Sequence, residues 1–256
     1  MIRILPILFS LMLVLPATSL YNQALYAQSS AEMIGEGFRF VRIKYNSNTN
    51  FSYNRWGPWA YDWPTAERNL HLAIERTTKI PLAGEPIVLS LEDEEIFQFP
   101  ILYLCEPGYW LINDEEIENL REYINRGGFL LIDDFHDYGD GQTGPEWDNF
   151  FMNIKQVFPD WELVELTSAH PIWSIFYDIN PDLALSTKSQ SGEVPWLDED
   201  DDLYYGIFDD NGRLAVIICY NQDIGDGWEW PGRNMGDAST VSFQMAINFI
   251  MYAFSH

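Results

Sequence analysis

Acidic and amide side chains follow two apolar runs of the sequence, where they could converge on a ligand. Asp133 and Asp134 end the run 129–134. A second set follows the run 214–219 and consists of Asn221, Asp223, Asp226, Trp228 and Glu229. Ca²⁺ and Mg²⁺ are held in proteins by several convergent carboxylate and carbonyl oxygens. The pattern therefore predicts a ligand-binding site at these residues and, as a hypothesis, a Ca²⁺ or Mg²⁺ site formed by Asp133, Asp134, Asp223 and Asp226.

The same acids also have an ordinary structural interpretation. Asp and Asn side chains commonly cap helices, close turns and accept hydrogen bonds from loop backbone. Their spacing here does not match the calcium-binding loop of an EF-hand. The sequence leaves both interpretations open, and it predicts no other cofactor.

Cys105 and two histidines are the residues that could perform nucleophilic catalysis. Cys105 ends the apolar run 100–105, and His136 and His170 are the only reasonable bases for it. However, Pro107 restricts the following turn, which also lacks the small residues of a nucleophile elbow. We therefore expect a buried structural thiol. Each histidine could instead orient a loop by hydrogen bonding or bind a metal.

Several tryptophans fall in or beside predicted loops and not in the middle of strands: Trp56, Trp59, Trp63, Trp110, Trp228 and Trp230. Rigid aromatic faces beside carboxylates and amides bind sugars or cationic ligands. The same side chains could equally anchor loops without any ligand. The tryptophans are therefore compatible with a binding site and equally with simple anchoring of the loops.

The elements that must position these residues alternate between strands and helices. Apolar runs or alternating patterns predict strands over 38–45, 87–91, 100–105, 129–134, 161–166, 204–208 and 214–219. Apolar residues at spacings of three and four predict helices over about 63–79, 114–126, 145–157 and 238–254. This alternation predicts an α/β three-layer sandwich, with a mainly parallel, doubly wound sheet and one antiparallel pair near the C-terminus.

Local signals predict how some of these elements begin and end. Asp62 is predicted to cap the first helix, and Asn113 or Asp114 to cap the second. The glycine pair 127–128 is predicted to end the second helix in a left-handed conformation. The sequence Asp-Asp-Asn-Gly at 209–212 predicts a hairpin with a type I′ turn.

The N-terminus and the length indicate an exported protein with one domain. Residues 1–27 have the pattern of a secretory signal peptide, with Arg3 before the apolar stretch 4–15. That stretch is shorter than the ~20 residues of a membrane span, and an uncleaved anchor is the alternative. After a leader at 28–37, residues 38–256 are expected to form a single α/β domain in the periplasm or outside the cell.

The chain is strongly acidic, with a formal net charge of −25 over 256 residues. Such a surface repels phosphate backbones and anionic lipid headgroups, which argues against nucleic-acid binding and against membrane contact beyond the signal segment. Cationic ligands stay compatible with it. Cys105 and Cys219 could form a disulfide only if their strands were neighbours, and we expect two buried thiols instead.

The sequence also resembles a bacterial family, the domain of unknown function 4159. The resemblance is carried by residues 115–134, by Ala-His-Pro-Ile at 169–172, and by 210–213 with the motif Asn-Gln-Asp-Ile-Gly-Asp-Gly-Trp-Glu at 221–229. Gln222 stands where the family usually has threonine. The resemblance covers roughly residues 38–254. It implies a fold similar to the flavodoxin-like class I glutamine amidotransferases, which place a nucleophilic cysteine at a strand end such as that of Cys105. The family has no established activity, so no catalytic residue follows from it.

Two functions are compatible with these observations. The first is a non-catalytic domain of the cell envelope, whose cleft at the carboxyl edge of the sheet binds a polyol, a peptide or another protein. The second is a hydrolase at the same cleft, either metal-assisted through the aspartates or dependent on Cys105. A hydrolase needs an activated nucleophile within hydrogen-bond reach of a base. Because the sequence shows no such pair, we favour the binding domain.

Overall fold

The computed structural model describes residues 37–47, 56–137, 144–180, 203–232 and 238–256. The predicted signal segment 1–27, almost all of the leader and the run of acids 198–202 lie outside these residues. Export therefore stays a prediction. Within the described ranges, no helix combines the length and the apolar character needed to cross a lipid bilayer.

The described strands form one large sheet and one short ribbon. In chain order they are β1 (Val41–Lys44), β2 (Asn46–Ser47), β3 (Ile87–Ser90), β4 (Ile101–Cys105), β5 (Trp110–Leu111), β6 (Phe129–Asp133), β7 (Leu163–Glu165), β8 (Leu203–Phe208) and β9 (Leu214–Tyr220). The large sheet has the order β3-β1-β4-β6-β9-β8-β7, and β2 pairs with β5. Strands β3, β1, β4, β6 and β9 are parallel, whereas β8 is antiparallel to both β9 and β7.

The order of the parallel strands determines where a ligand cleft is expected. Numbered along the chain, these five strands stand in the order 2-1-3-4-5, that of doubly wound sheets of the flavodoxin type. In such sheets the direction of winding reverses between β1 and β4, and ligands bind beyond the carboxyl ends of the strands. The predicted mainly parallel sheet and its antiparallel pair near the C-terminus are confirmed.

Helices cover both faces of the sheet. They are α1 (Thr65–Thr77), α2 (Asp114–Asn125), α3 (Pro145–Val157), α4 (Ile224–Glu229) and α5 (Ala238–Ser255). Neighbouring residues of β4 belong to opposite faces: Tyr103 packs in a core with α1 and α5, and Leu104 packs in a second core with α2 and α3. Two cores on the two faces of one sheet give the predicted three layers.

Two details of the elements agree with the sequence signals. Asn113 caps α2 in a capping box, because its Oδ1 accepts the N–H of Glu116 (3.0 Å) and Glu116 Oε2 accepts the N–H of Asn113 (3.0 Å). Gly127, just beyond the helix, has a positive φ of 107°. Cys105 and Cys219 are buried free thiols, as expected, since β6 lies between their strands.

The prediction that Asp62 caps the first helix is wrong. Helix α1 begins at Thr65, and its N-cap residue is Pro64. Asp62 instead adopts a left-handed conformation with φ 62°, and its backbone carbonyl accepts the N–H of Ala66 (3.0 Å). Its carboxylate is therefore not used at the helix end.

The predicted type I′ turn between β8 and β9 is also wrong. Type I′ needs positive φ at both central residues, but only Gly212 of this hairpin has it, with φ 78°. The side chain of Asp209 gives the reason: its Oδ1 accepts the N–H groups of Asn211 (2.9 Å) and Arg213 (3.1 Å). These hydrogen bonds favour a type I turn followed by a left-handed glycine.

Candidate functional site

Strained backbone marks the carboxyl edge of the parallel strands. Glu106 directly follows β4 and Asp134 directly follows β6, with φ of 53° and 73°. Asn221 directly follows β9 with φ 54°, and Asp62 precedes α1 with φ 62°. These four are all the non-glycine residues with positive φ in the described part of the chain. A left-handed conformation costs an L-residue roughly 1–2 kcal/mol, so its concentration at one edge makes this edge the candidate functional site.

Titratable side chains from separate segments converge at this edge. We call them the carboxylate cluster, which comprises Asp62, Glu106, Asp134, Glu146, Asp223, Asp226 and Glu229 together with Cys105 and His136. Their potential ligand atoms form four groups, and within each group the atoms lie within 4.8 Å of one another. The groups are Asp62, Cys105 and Asp134; Glu106, His136 and Glu146; Asp134, His136 and Asp223; and Asp62, Asp226 and Glu229. Because the groups share members, the cluster is one continuous site.

Asp134 belongs to two of these groups and is almost fully buried. Its N–H donates to the carbonyl of Gln222 (2.9 Å), and its Oδ2 accepts a hydrogen bond from Cys105 Sγ (3.2 Å). Its Oδ1 lies 3.3 Å from Nδ1 of His136 but has no hydrogen bond among the described residues. One oxygen of a buried carboxylate is therefore available to a ligand.

Glu106 is held through its backbone and not through its carboxylate. Tyr45 Oη donates to the carbonyls of Cys105 (2.9 Å) and Glu106 (2.5 Å), and the N–H of Glu106 donates to the carbonyl of Asp133 (3.1 Å). Glu106 is 6% exposed, its Oε1 lies 3.9 Å from His136 Nδ1, and its Oε2 has no hydrogen-bond partner in the described ranges. The strained turn after β4 thus presents a carboxylate, in the way that a nucleophile elbow presents its nucleophile.

Burial raises the pKa values of these acids. It raises the pKa of Asp62 to about 8 and the pKa of Glu106 to about 9, and neighbouring acids add to both rises. Burial first and nearby carboxylates second raise the pKa values of Asp134 and Asp223 well above their usual range. Burial lowers the pKa of His136, which favours the neutral imidazole. At neutral pH the cluster must therefore hold protons or a cation, because carboxylates this close cannot all ionise unpaired.

Arg42 lies beneath the cluster but is already paired. Its buried guanidinium forms an ion pair with the buried carboxylate of Glu67. Its Nη1 also donates to the carbonyls of Trp59 (2.9 Å) and Tyr61 (2.6 Å). The charge of Arg42 lowers the pKa of Asp62, but the larger effect of burial exceeds it. This cation therefore mainly compensates the charge of Glu67.

Asp133, one of the predicted ligands, has both oxygens engaged in holding α4. They accept hydrogen bonds from the N–H groups of Ile224 (3.3 Å) and Gly225 (3.1 Å) and from Tyr103 Oη (3.1 Å). Burial raises the pKa of Asp133 to about 7, and these hydrogen bonds limit the rise. Gly225 is needed at this contact, because a Cβ there would lie 2.8 Å from Tyr103 Oη. The geometry gives Asp133 a structural function.

Asn221, also predicted as a ligand, fixes the loop after β6. Its Oδ1 accepts the N–H of Asp137 (3.1 Å), and its Nδ2 donates to the Asp137 carbonyl (2.9 Å). The carboxylate of Asp137 in turn accepts the N–H groups of Glu146 (3.0 Å) and Trp147 (2.6 Å) in the first turn of α3. The side-chain amide of Asn221 therefore has a structural role in this loop.

The motif after β9 supplies both cluster members and an anchor. Asp223 caps α4 by accepting the N–H of Asp226 on its Oδ1 (2.8 Å), and Asp223, Asp226 and Glu229 all belong to the cluster. Trp228, predicted to contact a ligand, is fully buried, and its Nε1 donates to the carbonyl of Ser242 (3.0 Å). It anchors α4 to the core.

The geometry around Cys105 is that of a structural thiol. The residue is fully buried, and burial raises the pKa of its thiol well above the usual value. Its predicted base His170 lies at the opposite edge of the sheet: the imidazole packs on Tyr252 (6.0 Å), which packs on Phe129 at the start of β6 (5.7 Å). His136, the other predicted base, belongs to the cluster beside Asp134.

Three members of the cluster have no part in the sequence prediction: Asp62, Glu106 and Glu146. Asp62 carries a helix-capping signal that the tertiary structure does not use. The available signal for the other two is the turn Glu106-Pro-Gly after a buried strand. Gly108 in this turn approaches α3 so closely that a Cβ would lie 2.4 Å from the Cβ of Glu146.

One family covers this whole arrangement. The sequence model of the family described as Domain of unknown function (DUF4159) matches residues 39–254. The chain belongs to this family. Among the curated proteins compared, none matches the sequence. The resemblance predicted from the motifs is confirmed, and every residue of the carboxylate cluster lies inside the matched DUF4159 domain.

Proposed function

We propose that this DUF4159 domain is a non-catalytic binding domain of the cell envelope, which holds its ligand through a cation at the carboxyl edge. The observation that carries the proposal is the pair Asp134 and Glu106, buried carboxylates that each keep one oxygen without a hydrogen bond in the described part of the chain. An unpaired buried anion is costly, so proteins pair it, protonate it or place a metal beside it. A divalent cation would supply the charge that Arg42 does not.

The surroundings of the cluster favour a polyol, a peptide or an envelope protein as the ligand. The net charge of −25 opposes anionic partners. Trp230, the residue after α4, is 43% exposed and offers an aromatic face next to Glu229. Hydroxyl or carbonyl oxygens of the ligand would complete the coordination of a cation whose protein ligands leave positions open. The signal-like segment 1–27 supports a location in the periplasm or outside the cell.

The fold itself supports a relation to the class I glutamine amidotransferases. The strand order and the strained turn directly after β4 agree with that relation. Glu106, and not Cys105, occupies the left-handed position of the turn. The relation therefore concerns architecture, because a thiol buried one residue earlier is poorly placed for nucleophilic attack.

A metal-assisted hydrolase is the second candidate, and Glu106 is the observation that favours it. A carboxyl group with a pKa raised to about 9 on a strained turn, beside acids that could bind a cation, is placed to exchange protons with a metal-bound water. A hydrolase would turn over an ester, amide or glycoside. A binding domain would not.

Cation-dependent stability tests the binding proposal. Metal-free protein should melt at a higher temperature with millimolar concentrations of at least one of Ca²⁺, Mg²⁺, Mn²⁺ and Zn²⁺, by mass action. Asp134→Asn should abolish the rise. Asp160→Asn, which changes an exposed acid in a turn outside the cluster, should keep it. An equal rise in wild type and Asp134→Asn would contradict the proposal.

A further inference from the structure

We infer that Asp134, His136 and Asp223 bind a divalent transition-metal ion of the Mn²⁺ to Zn²⁺ class, between the end of β6 and the start of α4. This inference rests on the proposed cation-binding function and names the ion and its ligands. It differs from the Ca²⁺ or Mg²⁺ site expected from the aspartates, because one of the three ligands is an imidazole nitrogen.

The distances within this group are those of one coordination sphere. All three ligand atoms lie within 4.8 Å of one another, and Asp134 Oδ1 is 3.3 Å from His136 Nδ1. Two atoms bound at ~2.1 Å to the same ion, at octahedral to tetrahedral angles, are about 3.0–3.4 Å apart. The separation of Asp134 Oδ1 and His136 Nδ1 falls in this range. In addition, Asp134 Oδ1 forms no hydrogen bond with a described residue.

Glu106 provides a second, independent observation. It is 6% exposed, and its Oε2 has no hydrogen-bond partner in the ranges that the structure describes. Its Oε1 lies 3.9 Å from Nδ1 of His136. A buried carboxylate beside the same imidazole can act as a further ligand or accept a hydrogen bond from a metal-bound water.

The backbone around the three ligands is fixed by other contacts. The N–H of His136 donates to Glu146 Oε2 (2.7 Å), and the N–H of Asp134 donates to Gln222 O (2.9 Å). Asp223 uses its Oδ1 to cap α4 through the N–H of Asp226. Supporting hydrogen bonds of this kind orient ligands before a metal binds and raise the affinity of a site.

The chemistry of the ligands selects the class of ion. Imidazole suits Zn²⁺, Fe²⁺ and their neighbours, whereas Ca²⁺ takes a larger set of oxygens and Mg²⁺ keeps several waters. Carboxylates accept all of these ions. A set of two carboxylates and one imidazole should therefore bind Zn²⁺ more tightly than Mn²⁺, and Mn²⁺ more tightly than Mg²⁺.

Calorimetric titration of the tag-free, metal-free protein with ZnCl₂, MnCl₂, CaCl₂ and MgCl₂ tests the inference. Wild type should bind Zn²⁺ and Mn²⁺ at least tenfold more tightly than Ca²⁺ and Mg²⁺. His136→Ala should remove this preference, and His136→Gln serves as a second variant that keeps the side-chain volume. His170→Ala is the matched control at the opposite edge and should retain the preference.

The possible failures are distinguishable. Wild-type Zn²⁺ and Mn²⁺ affinity in both His136 variants would overturn the inference. Binding of Ca²⁺ or Mg²⁺ as tight as that of Zn²⁺ would also overturn it, but would leave the proposed cation-binding function intact. Binding of none of the four ions would overturn both.

Discussion

Charged groups are paired to different extents at the two edges of the central sheet. At the amino edge, Arg213 forms an ion pair with Asp209 (2.9 Å). The same guanidinium donates to the carbonyls of Ile124 (3.1 Å), Gly127 (3.0 Å) and Gly128 (3.0 Å) just before β6. One cation therefore satisfies a carboxylate and the open end of α2 at once.

At the carboxyl edge, seven acids converge on one continuous site. Buried nitrogens or oxygens without a hydrogen bond occur at or beneath this edge in the described residues, in Arg42, Asp62, Glu67, Glu106, Trp110 and Asp134. The amino edge contributes none of these atoms. Polar groups that serve the fold are thus mostly paired within it, whereas buried polar atoms left without a partner mark where a ligand is expected.

The largest effect should come from breaking the amino edge. Arg213→Ala should lower the free energy of unfolding by about 3–5 kcal/mol. The nearly buried carboxylate of Asp209 would lose its ion-pair partner, and three backbone carbonyls would lose their hydrogen-bond donor. Urea denaturation measures the loss. Arg213→Lys keeps the charge but loses the planar fork, and should recover only part of the stability. The cation-induced rise in melting temperature should survive, since that edge is remote from the cluster.

The stability of the protein should depend on pH through the buried acids of the carboxyl edge. The folded-state pKa values of Asp133, Asp62 and Glu106 are raised to about 7, 8 and 9, above their unfolded values near 4. At pH values between the unfolded-state and folded-state pKa values, the folded state binds more protons than the unfolded state. The stability should therefore fall as the pH rises. We expect a loss of at least roughly 2–3 kcal/mol between pH 5 and pH 9 in metal-free buffer, because Asp133 alone, with a folded-state pKa of about 7, loses about 1.4 kcal/mol per pH unit from pH 5 to pH 7.

Thermal melts at pH 5, 7 and 9 with a chelator measure this dependence. The double variant Asp62→Asn with Glu106→Gln should flatten the curve, while the surface variant Asp160→Asn should not. A melting temperature that rises from pH 5 to pH 9 would show that the cluster is not protonated in the folded state.

The neighbouring residues Asp133 and Asp134 test the difference between hydrogen-bonded and unpaired acids. Asp133→Asn should destabilise the protein by about 1–3 kcal/mol, because its oxygens accept two hydrogen bonds from α4 and a third from Tyr103 in β4. Asp134→Asn should instead stabilise the metal-free protein by roughly 1 kcal/mol above neutral pH, since it removes a buried unpaired charge. Chemical denaturation at pH 8 gives both values. Equal destabilisation by both substitutions would remove the distinction between paired and unpaired acids.

The smallest effect is expected at Cys105. A buried thiol whose pKa burial raises should react with iodoacetamide at pH 6 only after unfolding. Cys105→Ala should cost about 1 kcal/mol and leave cation binding in place. Mass spectrometry after alkylation, with and without urea, measures the reactivity. Rapid labelling of the native protein would favour the thiol-dependent hydrolase over the binding domain.

The layers of the fold and the edge that carries the candidate site are predictable from the sequence. Apolar runs such as those ending at Cys105 and Asp133 form the central strands, because short, continuously apolar runs are typical of parallel strands buried on both faces. Parallel strands present their carboxyl ends at one edge, which is why Asp134 and Asp223 meet although 89 positions separate them. The cap of α2 at Asn113 is predictable because its hydrogen bonds join residues that are close in sequence.

Which acids belong to the carboxylate cluster depends on the tertiary structure and is not predictable from the sequence. Asp133 and Asp134 have the same side chain and adjacent positions, yet the left-handed backbone at Asp134 directs the two carboxylates to different partners. Asp62 and Glu146 enter the cluster from helix starts distant in sequence, and no local pattern encodes such an approach. Hydrophobic periodicity depends on near neighbours in the sequence, whereas the convergence of these acids depends on backbone strain and long-range packing.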